Sequence, residues 1–382
     1  MTKIVRVTTV PMTLVAFCTG LLRELQEQEN YEVVAVSSPG EELNKLADSE
    51  GVRTIAVPME RRISPFKDMK SLWKMWRLMC REKPDMVHSM TPKAGMITML
   101  AAKLARVPIR IHTFTGLVFP TSTGLKRHLL MATDWLTCAC TTHIIPEGEG
   151  VKNDLLNHKI TKKPLRVLGH GNVRGIDLEH YNPQAKSDRP YAVSDKRVFT
   201  FVFVGRIVRD KGINELVEAF VRLNKEHPDT HLVLVGGEEE KLDPIKSETR
   251  HEIENNAAIE SVGRQSDVRP FYASADALVF PSYREGFPNV VIEAGAMGLP
   301  SIVTDINGSR EIVIEGENGT IIPSKDTEAL YQAMKRFVEN PEDVKRMADK
   351  SRPLIASRYE QSYVRQCLKD FYQEILAEKG LN

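Results

Sequence analysis

The sequence predicts an α/β protein made of two doubly wound parallel-sheet domains facing each other across a cleft, on three observations. Short apolar strands alternate with helical segments, the alternation restarts past the middle of the chain, and a polar stretch broken by Gly and Pro separates the two runs. The length, 382 residues, is about twice that of a common domain and fits the same count.

The first run of strands is expected at 4–9, 32–37, 54–57, 86–88, 109–113 and 143–146. These segments read as short buried strands, each followed by a helical or loop segment, which is the signature of a parallel sheet covered on both faces. The stretch from His170 to Pro190 reads as the interdomain crossing. The second run follows at 200–204, 231–235, 259–262, 277–280, 301–304 and 320–322, so the domains are placed at 1–180 and 181–360. A closing helix at 361–382 is free by sequence to pack on either domain and is assigned back to the first. Ligands of such sheets bind beyond the carboxyl ends of the strands, which places both sets of loops around one cleft.

Composition excludes several classes. With 42% apolar and 27% charged residues the chain is that of a soluble globular protein, and no segment reaches the roughly 18 uninterrupted apolar residues of a spanning helix. The amino terminus enters a strand pattern at once, without a basic-then-apolar leader, so the expected location is cytoplasmic, at most peripheral on the inner face of the membrane. Five cysteines lack the paired spacing of a zinc site, and Cys138 and Cys140 read as buried small apolar residues. Charge is asymmetric: residues 1–178 hold 25 Lys and Arg against 17 Asp and Glu, with twelve basic side chains between Arg61 and Arg110. Within that stretch, 66–81 is an amphipathic helix whose Phe, Trp and Met residues stand beside cations, a face suited to an anionic bilayer; no nucleic-acid reader motif accompanies it.

The chemistry is concentrated in the second half. After the strand at 200–204 comes Gly205-Arg206, then Lys211-Gly212 leading into a helix. A glycine at a strand end lets backbone approach a ligand, a helix start offers unpaired N–H groups, and two cations complete what a diphosphate requires. The second motif runs from Pro281 to Pro300 and sets Glu285 on a loop and Glu293 inside the next helix. Gly286, Phe287 and Pro288 turn the chain, and Asn289 and Val290 open the helix with free N–H groups. A carboxylate such as Glu293 on an otherwise apolar helix needs hydrogen-bond donors, and a ribose diol supplies them. Arg264, past the strand at 259–262, joins this donor-binding set.

Glu285 to Glu293 resembles the E-x7-E motif of family 4 glycosyltransferases with the GT-B fold, the bacterial capsule, exopolysaccharide and O-antigen branch in particular. The likeness extends over the loop at 205–212, Pro281-Ser282, and Gly308-Ser-Arg-Glu311 with Gly316 to Gly319. It implies two Rossmann-like domains and a retaining transfer of a hexose or N-acetylhexosamine from a nucleotide diphosphate, with uridine as the expected base. It also implies that Arg206 and Lys211 hold the diphosphate, Glu285 touches the transferred sugar, and Glu293 binds the ribose. No D-x-D motif occurs, so the leaving charge falls to protein cations rather than a metal, and no cofactor is expected. Glu285 as a nucleophile, or same-face attack with the leaving phosphate taking the proton, are both open at this point.

In the first half the resemblance is weaker. His88 to Gly95 and Arg110 to Gly116 each follow a strand and resemble segments of the same family. Many relatives carry a histidine directly before the glycine of the second segment, where this chain has Thr115; His112, three residues earlier, is the catalytic candidate. Thr13, His88, Lys93, Thr115 and Gly116 form the expected acceptor side, facing a lipid-linked, polyprenyl-diphosphate saccharide. The alternatives are a nucleotide-sugar epimerase of the same fold, or a non-catalytic sugar-nucleotide-binding subunit. A dinucleotide oxidoreductase lacks its G-x-G-x-x-G in both first loops.

Overall fold

Twelve strands form in a computed structural model that describes residues 1–60, 64–184, 198–239 and 243–381. Parts of the expected crossing (185–190) and of the basic stretch (61–63) lie outside the described residues. The strands are β1 (Lys3–Val7), β2 (Glu32–Ser37), β3 (Arg53–Ala56), β4 (Met86–Met90), β5 (Ile109–Phe114), β6 (His143–Pro146), β7 (Phe199–Val204), β8 (Thr230–Val235), β9 (Ile259–Gly263), β10 (Ala277–Phe280), β11 (Ser301–Thr304) and β12 (Gly319–Ile322). All pairings are parallel, and the two sheets have the orders β3-β2-β1-β4-β5-β6 and β12-β11-β10-β7-β8-β9. Each is the doubly wound order in which the strand sequence reverses beside the first strand, between β1 and β4 in one sheet and β7 and β10 in the other. Loops leaving those neighbouring strands diverge and open a crevice.

The chain divides into two compact units, Met1–Gly175 with Ser362–Asn382, and Ile176–Gln361. In the first, the helix Gln361–Glu378 buries Leu368, Phe371, Tyr372, Ile375 and Leu376 against Ile4, Leu14 and Ile111. Burial of such side chains is worth about 1.5–3 kcal/mol each before entropy is charged, so this helix belongs to the core rather than trailing from it. In the second, Phe201, Val202, Phe203 and Leu234 of the central strands pack beneath Leu216, Val217 and Phe220 of the helix Ile213–Glu226.

The helix Pro65–Glu82 has two apolar faces. Met75, Leu78 and Met79 are buried on the sheet, whereas Phe66, Met69 and Trp73 are exposed by 93%, 68% and 51%. The outward residues recur at helical spacing with Lys70 and Arg77 among them, and Arg77 covers the Trp73 ring at 4.8 Å. No helix among the described residues is long and apolar enough to cross a membrane.

Candidate functional site

The second unit brings its two motifs together at the β7/β10 crevice. At the end of β7, Gly205 accepts close contact from Gly236 at the end of β8: a Cβ on Gly236 would stand 1.7 Å from the Gly205 carbonyl oxygen. Gly212 has φ +72°, and a Cβ there would meet the Pro281 carbonyl oxygen at 2.1 Å. Only glycine lets the 205–212 loop lie directly on the loop that follows β10. Tyr283 N–H then donates to the Asp210 carbonyl at 2.9 Å, and Arg284 pairs with the Asp210 carboxylate at 3.2 Å.

Across this contact Lys211 pairs with Glu285. Their side chains are 14% and 17% exposed, enough for a ligand to reach them and too little for water to screen them fully. The Ser282 hydroxyl donates to Glu285 Oε1 at 2.7 Å, and the Lys211 ammonium lies 5.2 Å from the Phe280 ring centre. Arg206, half exposed, holds Glu239 at 2.8 Å; Arg264 is exposed beyond β9, beside Gly237.

Pro288 caps the helix Asn289–Ala296, whose residues Asn289 and Val290 begin the first turn. Glu293 is buried at 7% exposure, with the Tyr272 hydroxyl 3.4 Å from its Oε2. Phe287 is buried and meets the Tyr359 ring edge-on at 5.5 Å. Gly308, at φ +74°, allows the next loop to touch the Gly286 carbonyl, where a Cβ would come within 2.5 Å. Gly286 and Phe287 are thereby fixed by a backbone packed on backbone. Gly236 and Tyr272 were not singled out from sequence, whereas Asp210 and Ser282 lie within the segments that carry the family likeness without having been given a role.

In the first unit two of the expected residues are buried. His88 is 2% exposed inside β4, not at a ligand-facing end. Arg6 donates to its Nδ1 at 2.5 Å, which leaves Nε2 to carry the hydrogen and donate to the Thr113 hydroxyl at 2.7 Å. Tyr372 of the closing helix also contacts Nδ1 at 2.5 Å, and burial holds the ring well below the usual histidine range. Its ring is held within the core on both nitrogens. His112, the catalytic candidate, is 1% exposed in β5, bonded through Nδ1 to the Ser89 hydroxyl at 2.8 Å. Burial lowers its pKa to about 3. Its ring fills the space left by Gly95, where a Cβ would stand 2.3 Å from Cε1.

The remaining residues expected on the acceptor side are partly exposed. Thr115 and Gly116 follow β5 and are partly exposed, Gly116 at φ +125°. Thr13 and Lys93 line a cavity of about 650 Å³. Lys93 is paired with Asp68 at 2.5 Å. Among the described residues no group of three or more His, Cys, Asp or Glu side chains is placed to hold a metal ion.

Known proteins resemble both units. Residues 14–171 match the glycosyl transferase 4-like domain, and residues 185–353 match the glycosyl transferases group 1. A capsular polysaccharide biosynthesis glycosyltransferase, CapM, of Staphylococcus aureus is 32% identical over 357 residues, covering 93% of each chain. A UDP-Gal:α-D-GlcNAc-diphosphoundecaprenol α-1,3-galactosyltransferase of Escherichia coli is 28% identical over 326 residues, 83% of this chain and 82% of its own. The crystal structure of a glycosyltransferase from Rickettsia africae superposes with a TM-score of 0.79 at 20% identity, covering 98% of both chains.

Proposed function

The chain belongs to the family-4-type glycosyltransferases of GT-B fold, metal-independent enzymes acting on nucleotide diphosphate sugars, and from that premise we propose a retaining transfer onto a lipid-linked saccharide. The donor is a uridine diphosphate hexose or N-acetylhexosamine, and the product enters cell-surface polysaccharide synthesis. The UDP donor and diphosphoundecaprenol acceptor of the E. coli relative support both choices.

The observation that carries this reading is the Lys211–Glu285 pair joining two loops at the β7/β10 crevice. In the proposed complex the donor diphosphate takes Lys211 and Arg206 from their present carboxylates, and Gly205 lets the backbone approach it. Glu285, released but still bonded by Ser282, accepts from hydroxyls of the sugar. Gly286 to Val290 present N–H groups to the donor, Arg264 flanks it, and Glu293 receives the ribose diol. Cleaving the anomeric C–O bond moves an electron pair onto the diphosphate, and fixed cations in a poorly hydrated site stabilise that charge most. The acceptor hydroxyl attacks from the same face, and its proton passes to the departing phosphate oxygen.

The exposed Phe66, Met69 and Trp73, with Lys70 and Arg77, support peripheral contact of the first unit with an anionic membrane where such an acceptor resides.

The test is incubation with a panel of sugar nucleotides and undecaprenyl-diphosphate-linked saccharides, with and without EDTA, following product by mass and anomeric configuration by NMR. Transfer with retained configuration and indifferent to EDTA is expected; inversion, or loss of transfer with EDTA, overturns the mechanism.

A further inference from the structure

We propose that the ion pair of Asp210 with Arg284 shields the donor diphosphate: Arg284 neutralises a carboxylate that would otherwise stand bare beside Lys211 and repel the ligand. This rests on the donor site read above and adds to it two positioning residues that do not themselves touch the donor.

The loops at the β7/β10 crevice carry four cations, each set against its own carboxylate. Arg206 meets Glu239 at 2.8 Å, Arg209 meets Asp243 at 3.1 Å, Arg284 meets Asp210 at 3.2 Å, and Lys211 pairs with Glu285. The last two pairs run side by side. Asp210 precedes Lys211 in one loop and Arg284 precedes Glu285 in the other, so consecutive residues form consecutive bridges of opposite polarity. The Ser282 hydroxyl donates to Glu285 Oε1 at 2.7 Å and stands 3.4 Å from the Asp210 carbonyl oxygen. The two pairs therefore lie within the roughly 10 Å over which charges act on one another at 0.1 M salt.

The Asp210–Arg284 pair is not what holds the loops together. Backbone does that: the Asp210 carbonyl accepts from Tyr283 N–H at 2.9 Å, and Asp210 N–H donates to the Asp243 carboxylate at 2.7 Å. The Arg284 and Asp210 side chains are 40% and 25% exposed, and a pair so hydrated contributes little to stability.

What Arg284 changes is charge. It reaches Asp210 Oδ2, while Oδ1 is buried without a hydrogen-bond partner among the described residues. A carboxylate with one oxygen out of water and undonated is poorly screened, and an anion held by the next residue feels its field. In the proposed complex Arg206 and Lys211 turn to the diphosphate, and Glu239 and Glu285 lose their cations. Without Arg284, Asp210 would be a third uncompensated carboxylate around the ligand and a competitor for Lys211.

The test is calorimetric titration of UDP into the full chain. Arg284→Met should weaken binding about tenfold, and Arg284→Lys, which keeps the charge, by no more than about threefold. Asp210→Asn keeps both backbone bonds and removes the repelling charge, so it should bind UDP at least as tightly as the wild type. Added to Arg284→Met, it should restore affinity to within about threefold of wild type. Salt at about 1 M, where charges act over roughly 3 Å, should shrink the Arg284→Met defect. Arg284→Gln gives the same readout should Arg284→Met not fold. A pair that only shapes the loop predicts the reverse, with Asp210→Asn as damaging as Arg284→Met and no recovery in the double variant. That result overturns the proposal, as does wild-type affinity in Arg284→Met, and both leave the donor site standing. Absence of UDP binding by the wild type overturns the donor site and this inference together.

Discussion

Lys211 and Glu285, 74 positions apart in sequence, form an ion pair where β7 and β10 lead their loops in diverging directions. Neither side chain could be placed there without Gly212, whose missing Cβ lets one loop rest on the Pro281 carbonyl of the other. On the proposed reading, the pair is two oppositely charged groups held ready for a ligand that carries both a phosphate anion and sugar hydroxyls.

Lys211→Ala is expected to lower turnover by on the order of 10²- to 10³-fold, the usual cost of removing a fixed donor from a developing anion. Glu285→Gln retains a partner for the Ser282 hydroxyl but not the charge, and should fall by a similar factor. Thermal unfolding within a few degrees of wild type accompanies both. Near-normal turnover in either variant removes that residue from the mechanism.

Gly236→Ala should destabilise the protein by at least about 2 kcal/mol in urea unfolding, because its Cβ would collide with backbone rather than with a movable side chain. Gly263→Ala is the control: φ is +67° and no atom lies within 4 Å, so only the left-handed backbone is penalised, by about 1 kcal/mol. Equal effects would show that the β7–β8 loop contact is not tight.

His112 is neutral in the folded protein and has a pKa near 3, against about 6.5 unfolded. Below pH 6.5 the unfolded chain binds a proton that the folded chain refuses, so stability falls as pH drops from about 6.5 towards 3. His88, also lowered by burial, adds in the same direction. Asp134 works oppositely: burial raises its carboxyl to about 7, so its contribution is lost as pH rises from about 4 to 7. His112→Gln should reduce the slope of stability against pH between 4 and 6 by about one proton. An unchanged slope would mean that this ring is not buried neutral.

Strand positions were legible because most are short runs rich in Val, Ile and other apolar residues that alternate with helical segments, a pattern that a sheet covered on both faces imposes. The charged loops of the second half were read on other grounds: a glycine and two cations after a strand for Lys211, the family motif for Glu285, and for Glu293 a carboxylate that is costly on an apolar helix unless a ligand or partner satisfies it. The two histidines lie deeper than the sequence suggested, for one cause. β4 continues to Met90 and β5 to Phe114, past the 88 and 113 that the apolar runs suggested. That extension moves His88 and His112 from strand ends into the core, where Arg6, Tyr372 and the space over Gly95 receive them. These partners lie far away in sequence, so no local pattern announces them. Asp68 was hidden in the same way, its partner Lys93 standing 25 residues on.

The assignment of the second unit as the donor site is tested most directly by calorimetric titration of UDP into the wild-type chain, Lys211→Ala and Glu293→Gln. Binding to the wild type, weakened at least about tenfold by each substitution, is the expected result. Absence of UDP binding in the wild type, or affinity equal in all three proteins, would contradict it.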